Sequence, residues 1–326
     1  MMIDGFGRTI DYLRLSITDR CDLRCLYCMP EHGVESFSHE KVMRFEELLQ
    51  LCRIMSGLGV KKFKVSGGEP LVRRGTPEFI AELKQLPGVE QVTLTTNGQK
   101  LLPLLPQLEE AGLDGINLSL DSLDPQRYRQ MSRRGELAPA LAALEAACER
   151  DFCPVKLNTV LMDGLNGDEA PALAGLAKRL PVYVRFIELM PIGLGREFQP
   201  VPGEEVCRRL EAVFGPAEPD SGHWGNGPAV YYRFPGLLRP VGFIDAVSHR
   251  FCSSCNRIRL TAEGCLKLCL QYDIGCDLLT PLRQGASEEE IAQLIRDTVA
   301  MKPERHCFGE EVAEHREEHT MNAIGG

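Results

Sequence analysis

Between residues 12 and 189, short apolar runs alternate with segments of helical periodicity, and this alternation restricts the fold more than any other feature of the chain. Strand-like runs fall at 12–18, 62–66, 91–95, 115–121, 155–161 and 182–189. Helical spacing occupies 45–55, 77–85, 103–111, 125–131 with 136–150, and 168–180 between them. A strand that rejoins its sheet through a helix runs parallel to its predecessor and crosses over right-handed. Six such strands predict an α/β fold, a partial (β/α)6 TIM-like barrel.

In a barrel of this kind reactive groups collect at the C-terminal ends of the strands. Here those ends carry residues 21–28, 67–70, 95–98, 119–122, Asn158 with Thr159, and 188–191, all polar or conformationally special. Past residue 192 the rhythm breaks, and 193–202 and 215–228 are rich in glycine and proline. This divides the chain into a barrel domain, 1–192, and a smaller C-terminal module, 193–326. The module is expected to hold a helix at 204–214, strands at 230–234 and 241–246, and a hairpin of 256–261 with 265–270 turning at Glu263-Gly264. A helix at 288–300 precedes a charged tail.

At 326 residues, with 44% apolar and 25% charged content, the chain can bury a substantial globular core. It contains no apolar run of membrane-spanning length, and residues 1–10 lack a secretory pattern, so a cytoplasmic location is expected. A net charge of −9 disfavours nucleic acid and acidic membranes as partners. A small anionic substrate then requires a local group of arginines and lysines. Thirteen cysteines, an odd number, argue for metal ligation under reducing conditions rather than a disulfide framework. Cys52, Cys148, Cys153, Cys207, Cys276 and Cys307 are scattered and suit small core positions.

The remaining thiols are grouped. Cys21, Cys25 and Cys28 form C-x3-C-x2-C directly after the first strand, and no histidine among them completes a tetrahedral zinc site. The spacing suits a cubane iron–sulfur cluster, whose fourth iron is left open to a substrate. A zinc knuckle and incidental buried thiols are the alternatives. Cys252, Cys255, Cys265 and Cys269 form a second group, for which a closed zinc site and a second cluster are equally good readings of the spacing. Gly67-Gly68-Glu69-Pro70 lacks the Lys-Ser/Thr of a phosphate loop. Arg257 and Arg259 alternate along a strand and point the same way, which suits a polyphosphate or an exposed hairpin face.

With Tyr27 ahead of its third cysteine, the first motif resembles the radical S-adenosylmethionine (SAM) superfamily. The resemblance implies that reduction of SAM on the open iron gives a 5′-deoxyadenosyl radical. Residues 251–261, Phe-Cys-Ser-Ser-Cys-Asn-Arg-Ile-Arg-Leu-Thr, with Leu268-Cys269-Leu270, resemble one branch, the GTP 3′,8-cyclase family of molybdenum cofactor biosynthesis. This similarity runs from Arg14 to the terminal glycines. It implies two [4Fe–4S] clusters, one on Cys21, Cys25 and Cys28, the other on Cys252, Cys255 and Cys269, with Cys265 an extra thiol outside the pattern.

The same resemblance assigns SAM contacts to Tyr27, Gly68, Ser119 and Met190, the glycines of 67–68 letting the ligand approach the chain. It assigns GTP contacts to Arg14, Lys64, Thr95, Lys156, Arg257 and Arg259. Lys64 stands where the family commonly has arginine, keeping the charge but losing bidentate geometry. Arg185 is a further phosphate candidate. Arg14, Arg185, Gly325 and Gly326 are the expected catalytic residues, the last two reaching into the site, while Glu310, Glu311, Glu317 and Glu318 are expected to be solvated.

The implied reaction removes hydrogen from C3′ of GTP and joins that carbon to C8, giving (8S)-3′,8-cyclo-7,8-dihydroguanosine 5′-triphosphate. The implied partners are GTP, a flavodoxin- or ferredoxin-like electron donor and a downstream cyclic pyranopterin monophosphate synthase; a homodimer is admitted but not required. Two rival readings remain. A peptide-modifying radical SAM enzyme gives no reason for Asn256-Arg257-Ile258-Arg259, and a ferredoxin-like carrier gives none for the barrel.

Overall fold

A computed structural model of the chain describes residues 1–34, 37–38, 40–222, 224–308, 317, 320–321 and 324. The alternation is realised as β1 (Tyr12–Ser16), α1 (Phe45–Gly57), β2 (Lys62–Ser66), α2 (Thr76–Lys84), β3 (Gln91–Thr96) and α3 (Leu105–Glu110). It continues through β4 (Ile116–Ser119), α4 (Pro125–Ser132), α5 (Leu137–Arg150), β5 (Val155–Val160), α6 (Ala170–Gly175) and β6 (Tyr183–Ile187). Consecutive strands pair parallel throughout. One face of each strand, Leu13 and Leu15, Phe63 and Val65, Val92 and Leu94, is buried in the main apolar core with residues of the helices.

Helices begin where proline permits. Pro106 and Pro171 each occupy the first turn of their helix, where a missing N–H costs nothing. The helix expected over 168–180 is accordingly only six α-helical residues, flanked by the 3-10 turns Gly167–Glu169 and Leu176–Lys178.

After residue 192 the chain forms α7 (Gly203–Phe214), β7 (Glu218–Asp220), β8 (Val230–Arg233), β9 (Val241–Ile244), β10 (Arg257–Leu260) and β11 (Cys265–Lys267). β12 (Gly275–Asp277), α8 (Leu279–Arg283) and α9 (Glu288–Ala300) follow. The hairpin is present, with Arg259 opposite Lys267. The strands of this part do not stack into a sheet of their own. β10 pairs parallel with β1 and β9 parallel with β6, so all twelve described strands lie in the single order β12-β11-β10-β1-β2-β3-β4-β5-β6-β9-β8-β7. A six-stranded partial barrel leaves unpaired N–H and C=O groups along both edges, and the later strands satisfy both.

The sheet is curled. Burial, followed by the charges of Arg185, Arg14, Lys156 and Arg257, holds the Lys64 ammonium well below the usual lysine range. Arg185 lies on β6 and Lys64 on β2, four places apart in the sheet order, yet both line one cavity, which a flat sheet would not allow.

Asp11 ties the later edge to the earlier one. Its carboxylate accepts from Asn256 Nδ2 at 2.5 Å, at the entrance to β10, and from Lys62 Nζ at 2.8 Å, on β2. Asp11→Ala is therefore expected to cost roughly 1–3 kcal/mol and to loosen β10 from β1 selectively. Hydrogen exchange should show lost amide protection over 257–260 with 155–160 unchanged; uniform loss would refute the assignment.

Candidate functional site

Strand direction separates the two cysteine groups. Cys21, Cys25 and Cys28 follow β1 and stand at the C-terminal end of the barrel strands. β10 is parallel to β1, so Cys252 and Cys255, which precede it, stand at the opposite end. β11 is antiparallel to β10, and Cys269 just beyond it returns to that same N-terminal end. The four residue steps of β1 between them span roughly 13 Å. Sequence reasoning expected the reactive groups to collect at the C-terminal ends. The first thiol group stands there, and the second stands at the other end of the strands because the later hairpin entered the sheet alongside β1.

The first cysteine loop is clamped onto the end of β2. Gly68 N donates to Thr18 O at 2.7 Å and Glu69 N to Arg20 O at 2.7 Å. A Cβ on Gly68 would stand 2.6 Å from Arg20 C and 2.7 Å from Asp19 O. The need for glycine at 68 thus arises from the chain's own loop, and not only from room for a ligand. Glu69 is buried and accepts from Leu71 N, Thr96 Oγ1 and Asn97 N at 3.0, 2.8 and 2.7 Å. Burial nevertheless pushes its pKa up to about 7. Asn97 Nδ2 then donates to Asp22 Oδ1 at 2.7 Å, between the first two cysteines.

Tyr27 Oη donates to Asp121 Oδ2 at 2.9 Å, which places the end of β4 against the loop. Asp121 also accepts from Val160 N at 2.9 Å, and burial pushes its pKa up to about 6. Burial raises the Cys21 thiol to about 12, and burial with the nearby charges of Asp121, Cys28 and Cys21 raises Cys25 well above its usual value. Left alone these thiols stay protonated; coordination to a soft metal supplies the stabilisation that a thiolate needs there. The donor set fits an iron–sulfur cluster. Among the described residues no three His, Cys, Asp or Glu side chains converge on a single-ion site. A cluster, in which each thiolate meets a different iron, does not require such convergence.

TIM-type barrel interiors are ordinarily filled by branched apolar side chains. Here the inward positions carry Arg14 on β1, Lys64 on β2, Lys156 on β5, Arg185 on β6, and Arg257 with Arg259 on β10. In register, Arg259 neighbours Arg14, and Arg14 neighbours Lys64. Burial and the Arg185 charge hold Lys156 down at about 8, and burial lowers Arg14 and Arg185 as well. Arg185, the central residue of β6, donates to Asn158 Oδ1 at 2.8 Å and Asn117 Oδ1 at 2.5 Å. Neutral amides orient this guanidinium without cancelling its charge. Among the described residues no carboxylate forms an ion pair with Lys64, Lys156 or Arg185, and the buried Thr95 hydroxyl has no hydrogen-bond partner.

Tyr12, Lys64, Thr93, Asn117, Lys156 and Arg185 line a cavity in the N-terminal half of the barrel. Its floor is Gly225–Gly227, numbered 225–227 in the segment that the composition marked only as a connection. Asn226 Nδ2 donates to Gln91 Oε1, and Trp224 rests on Tyr183 with ring centroids 5.2 Å apart. Gly225 has φ +140°, and a side chain there would strike the Lys156 ammonium. The pairing of a Gly-Asn-Gly run with a distant lysine was invisible in the sequence, as were the orienting roles of Asn117 and Asn158.

The second thiol group adjoins this interior. Burial lowers the Arg259 pKa, as do Arg14 and Arg257, while Cys269 and Cys255 pull it back up. Burial raises the Cys255 thiol, but Lys302 and Arg257 outweigh it and hold the thiol below its ordinary value. Arg8 Nη1 donates to Cys252 O at 2.8 Å, and Lys302 Nζ to Arg257 O at 2.9 Å. Cys265 keeps other company: burial raises it, and the charges acting on it are Lys267, Cys276, Asp273 and Asp277. Of the six scattered cysteines, Cys52, Cys148, Cys153 and Cys307 are buried, whereas Cys207 and Cys276 are only partly buried, packed against the core.

Ser119 closes β4 beside Asn158 of β5, and Met190 lies just past β6. Met190 packs on a small cluster of Ile192, Phe308 and Ile324. Gly325 and Gly326 lie outside the described residues, as do Glu310, Glu311 and Glu318. Glu317 is described, and it is 1% exposed rather than solvated, paired with Lys267 of β11. A distant cation took it out of water, and no local pattern signals such a partner.

A parallel partial barrel with a three-thiol loop at the end of its first strand defines a radical SAM protein. The model of the radical SAM superfamily matches residues 15–177, and one described as Molybdenum Cofactor Synthesis C matches 182–308. Among solved structures, Streptococcus suis SuiB bound to precursor peptide SuiA has a TM-score of 0.61 at 12% identity, covering 91% of this chain and 66% of that one. This shows the shared fold alone. GTP 3′,8-cyclases of Pelotomaculum thermopropionicum and Heliobacterium modesticaldum are each 45% identical over 328 residues, covering 100% of both chains in each case. That of Moorella thermoacetica is 44% identical over 329 residues at the same coverage. The chain belongs to the GTP 3′,8-cyclase family.

Buried like charges without counter-ions are held at the expense of stability. Lys64→Met is therefore expected to stabilise the protein by about 1–2 kcal/mol and to show none of the rise in Tm that tripolyphosphate is expected to give the parent protein. Thermal unfolding with and without tripolyphosphate measures both. A destabilised variant that keeps the full shift would mean that Lys64 serves the fold.

Proposed function

We propose that the chain converts GTP to (8S)-3′,8-cyclo-7,8-dihydroguanosine 5′-triphosphate, the first step of molybdenum cofactor biosynthesis. The observation that carries this reading is a barrel interior lined with cations and bounded at its two ends by separate three-thiol groups. A triphosphate would supply anionic charge to Lys64, Lys156 and Arg185, which form no ion pair with a carboxylate among the described residues.

Cys21, Cys25 and Cys28 would hold one [4Fe–4S] cluster, with SAM held against Tyr27, Gly68, Ser119 and Met190. When bound, that pair supplies the 5′-deoxyadenosyl radical that takes hydrogen from C3′. Cys252, Cys255 and Cys269 would hold a second cluster facing the guanine, and the separate surroundings of Cys265 support leaving it out. Arg14, Lys64, Lys156, Arg257 and Arg259 hold the triphosphate, Arg185 is aimed at it by its two asparagines, and Thr95 offers an unused hydroxyl. Fixing the nucleotide at both ends brings C3′ and C8 into a reactive geometry, and that positioning carries the selectivity. Gly325 and Gly326, outside the described residues, would assist cyclisation; Ile324, which precedes them in sequence, packs with Met190.

The reading includes a flavodoxin- or ferredoxin-like electron donor, cyclic pyranopterin monophosphate synthase as consumer of the product, a cytoplasmic location and room for a homodimer. Among the described residues no helix is long and apolar enough to cross a membrane.

Division of labour between the thiol groups is open to direct test. Anaerobically reconstituted protein is expected to carry about eight irons per chain. Cys21→Ser should abolish 5′-deoxyadenosine formation, whereas Cys255→Ser should retain part of it and make no cyclised nucleotide. Product from the second variant would overturn the two-cluster reading.

Lys156 adds a pH signature. Its folded pKa of about 8 lies below the usual 10.5, so unliganded protein loses this proton as pH rises through 8. A bound triphosphate restores the charge and raises the pKa. GTP binding at pH 9 should thus take up a proton, seen by calorimetry in buffers of different ionisation enthalpy, and affinity should fall as pH climbs above 8. Identical heats in all buffers, after correction, would remove Lys156 from the phosphate site.

A further inference from the structure

All three arms of the second thiol group are tied to one short stretch, residues 302–304, just past α9. Ile291, Ile295 and Val299 of α9 are buried in the main core, and Lys302 N donates to Val299 O at 3.0 Å, so the stretch is fixed to the body of the protein. Lys302 itself is only 3% exposed. Its ammonium donates to Arg257 O at 2.9 Å, two residues past Cys255, and to the carbonyl of Leu268, the residue before Cys269. The Cys252 arm is held through Arg8, whose guanidinium donates to Cys252 O at 2.8 Å, to Glu304 O at 2.7 Å and to Pro303 O at 2.7 Å.

A lysine taken out of water ordinarily sits against a carboxylate. Among the described residues no carboxylate forms an ion pair with Lys302, and the groups whose negative charge acts on its ammonium are Cys255 and Cys269. Two backbone carbonyls occupy its donors without cancelling its charge. Thiolates bound to a metal supply the missing compensation, so the donor set and its surroundings fit a thiolate-held cluster. Such a cluster becomes more negative when it takes up an electron. A cation fixed nearby therefore stabilises the reduced form more than the oxidised one.

We infer that Lys302 is a positioning residue of the second metal centre, joining the Cys255 and Cys269 arms and placing beside the cluster a buried positive charge that favours its reduced form. This deepens the proposed function and rests on its reading that Cys252, Cys255 and Cys269 hold a [4Fe–4S] cluster. Lys302 binds neither iron nor nucleotide in this role. A neutral donor in its place would keep a hydrogen bond to the arms and lose the charge, which separates the two parts of the role.

The test uses the full chain carrying Cys21→Ser, Cys25→Ser and Cys28→Ser together, reconstituted anaerobically with iron and sulfide so that only the second site is loaded. Lys302→Gln, Lys302→Arg and Lys302→Met are each added to this background. The readouts are iron per chain, the paramagnetic resonance of the reduced cluster during a dithionite titration, and the rate of iron release to a chelator. The background is expected to carry about four irons per chain. Lys302→Gln should raise the oxidised-to-reduced ratio at the background's midpoint potential about tenfold, and Lys302→Arg should leave it near the background value. Lys302→Met, lacking both donor and charge, should also release iron faster than Lys302→Gln. An unchanged ratio in Lys302→Gln would overturn the inference, and so would equal loss of iron from the glutamine and arginine variants, the mark of a residue that only fills space. Iron lost from Lys302→Gln but kept in Lys302→Arg would support it. A background that takes up no iron would sink the second-cluster reading itself, and the inference with it.

Discussion

Like charges confined in a low-dielectric space repel, and this protein encloses Arg14, Lys64, Lys156, Arg185, Arg257 and Arg259 in the interior of one sheet. Nothing in the fold of the barrel demands this. The apolar faces of the strands, turned toward the helices, bring the sheet together, and the opposite faces are then free to carry charge. Burial and mutual repulsion lower the pKa of each lysine in the set. On the proposed function, stability surrendered in this way becomes affinity for the triphosphate.

A second constraint follows from leaving the barrel incomplete. Six strands do not close on themselves, and an open edge exposes backbone groups that must find partners. β9 and β10 take up the two edges in parallel, and antiparallel β8 and β11 extend them. This arrangement has a chemical result. Parallel entry of β10 puts Cys252 and Cys255 at the N-terminal end of the barrel strands, and the return of β11 puts Cys269 there too, opposite the loop of Cys21, Cys25 and Cys28. Edge satisfaction and the placement of the second thiol group are one event.

Much of the site was legible in local pattern. Cys21, Cys25 and Cys28 are close in sequence and must be close in space, and Arg257 and Arg259 share a face because strands alternate. The hairpin followed from Glu263-Gly264 between two apolar runs. Less accessible were the features that depend on long separations. Asp11 holds Asn256, Asn117 and Asn158 aim Arg185, Gly225 leaves room for Lys156, and Lys267 takes Glu317 out of solvent. Each joins segments separated by many residues, and neither hydrophobic periodicity nor motif spacing carries information at that range.

The amino-acid order by itself determined which segments become strands and helices, which thiols form groups and which residue types are available to meet an anion. These depend on interactions within a few residues: backbone propensity, amphipathic period and turn chemistry. Tertiary structure alone decided that the later strands join the barrel sheet, that the two thiol groups stand at its opposite ends, and that residue 317 is buried. Those outcomes depend on which open edge and which distant charge a segment meets once the sheet has curled, a matter of pairing between remote parts that no local stretch encodes.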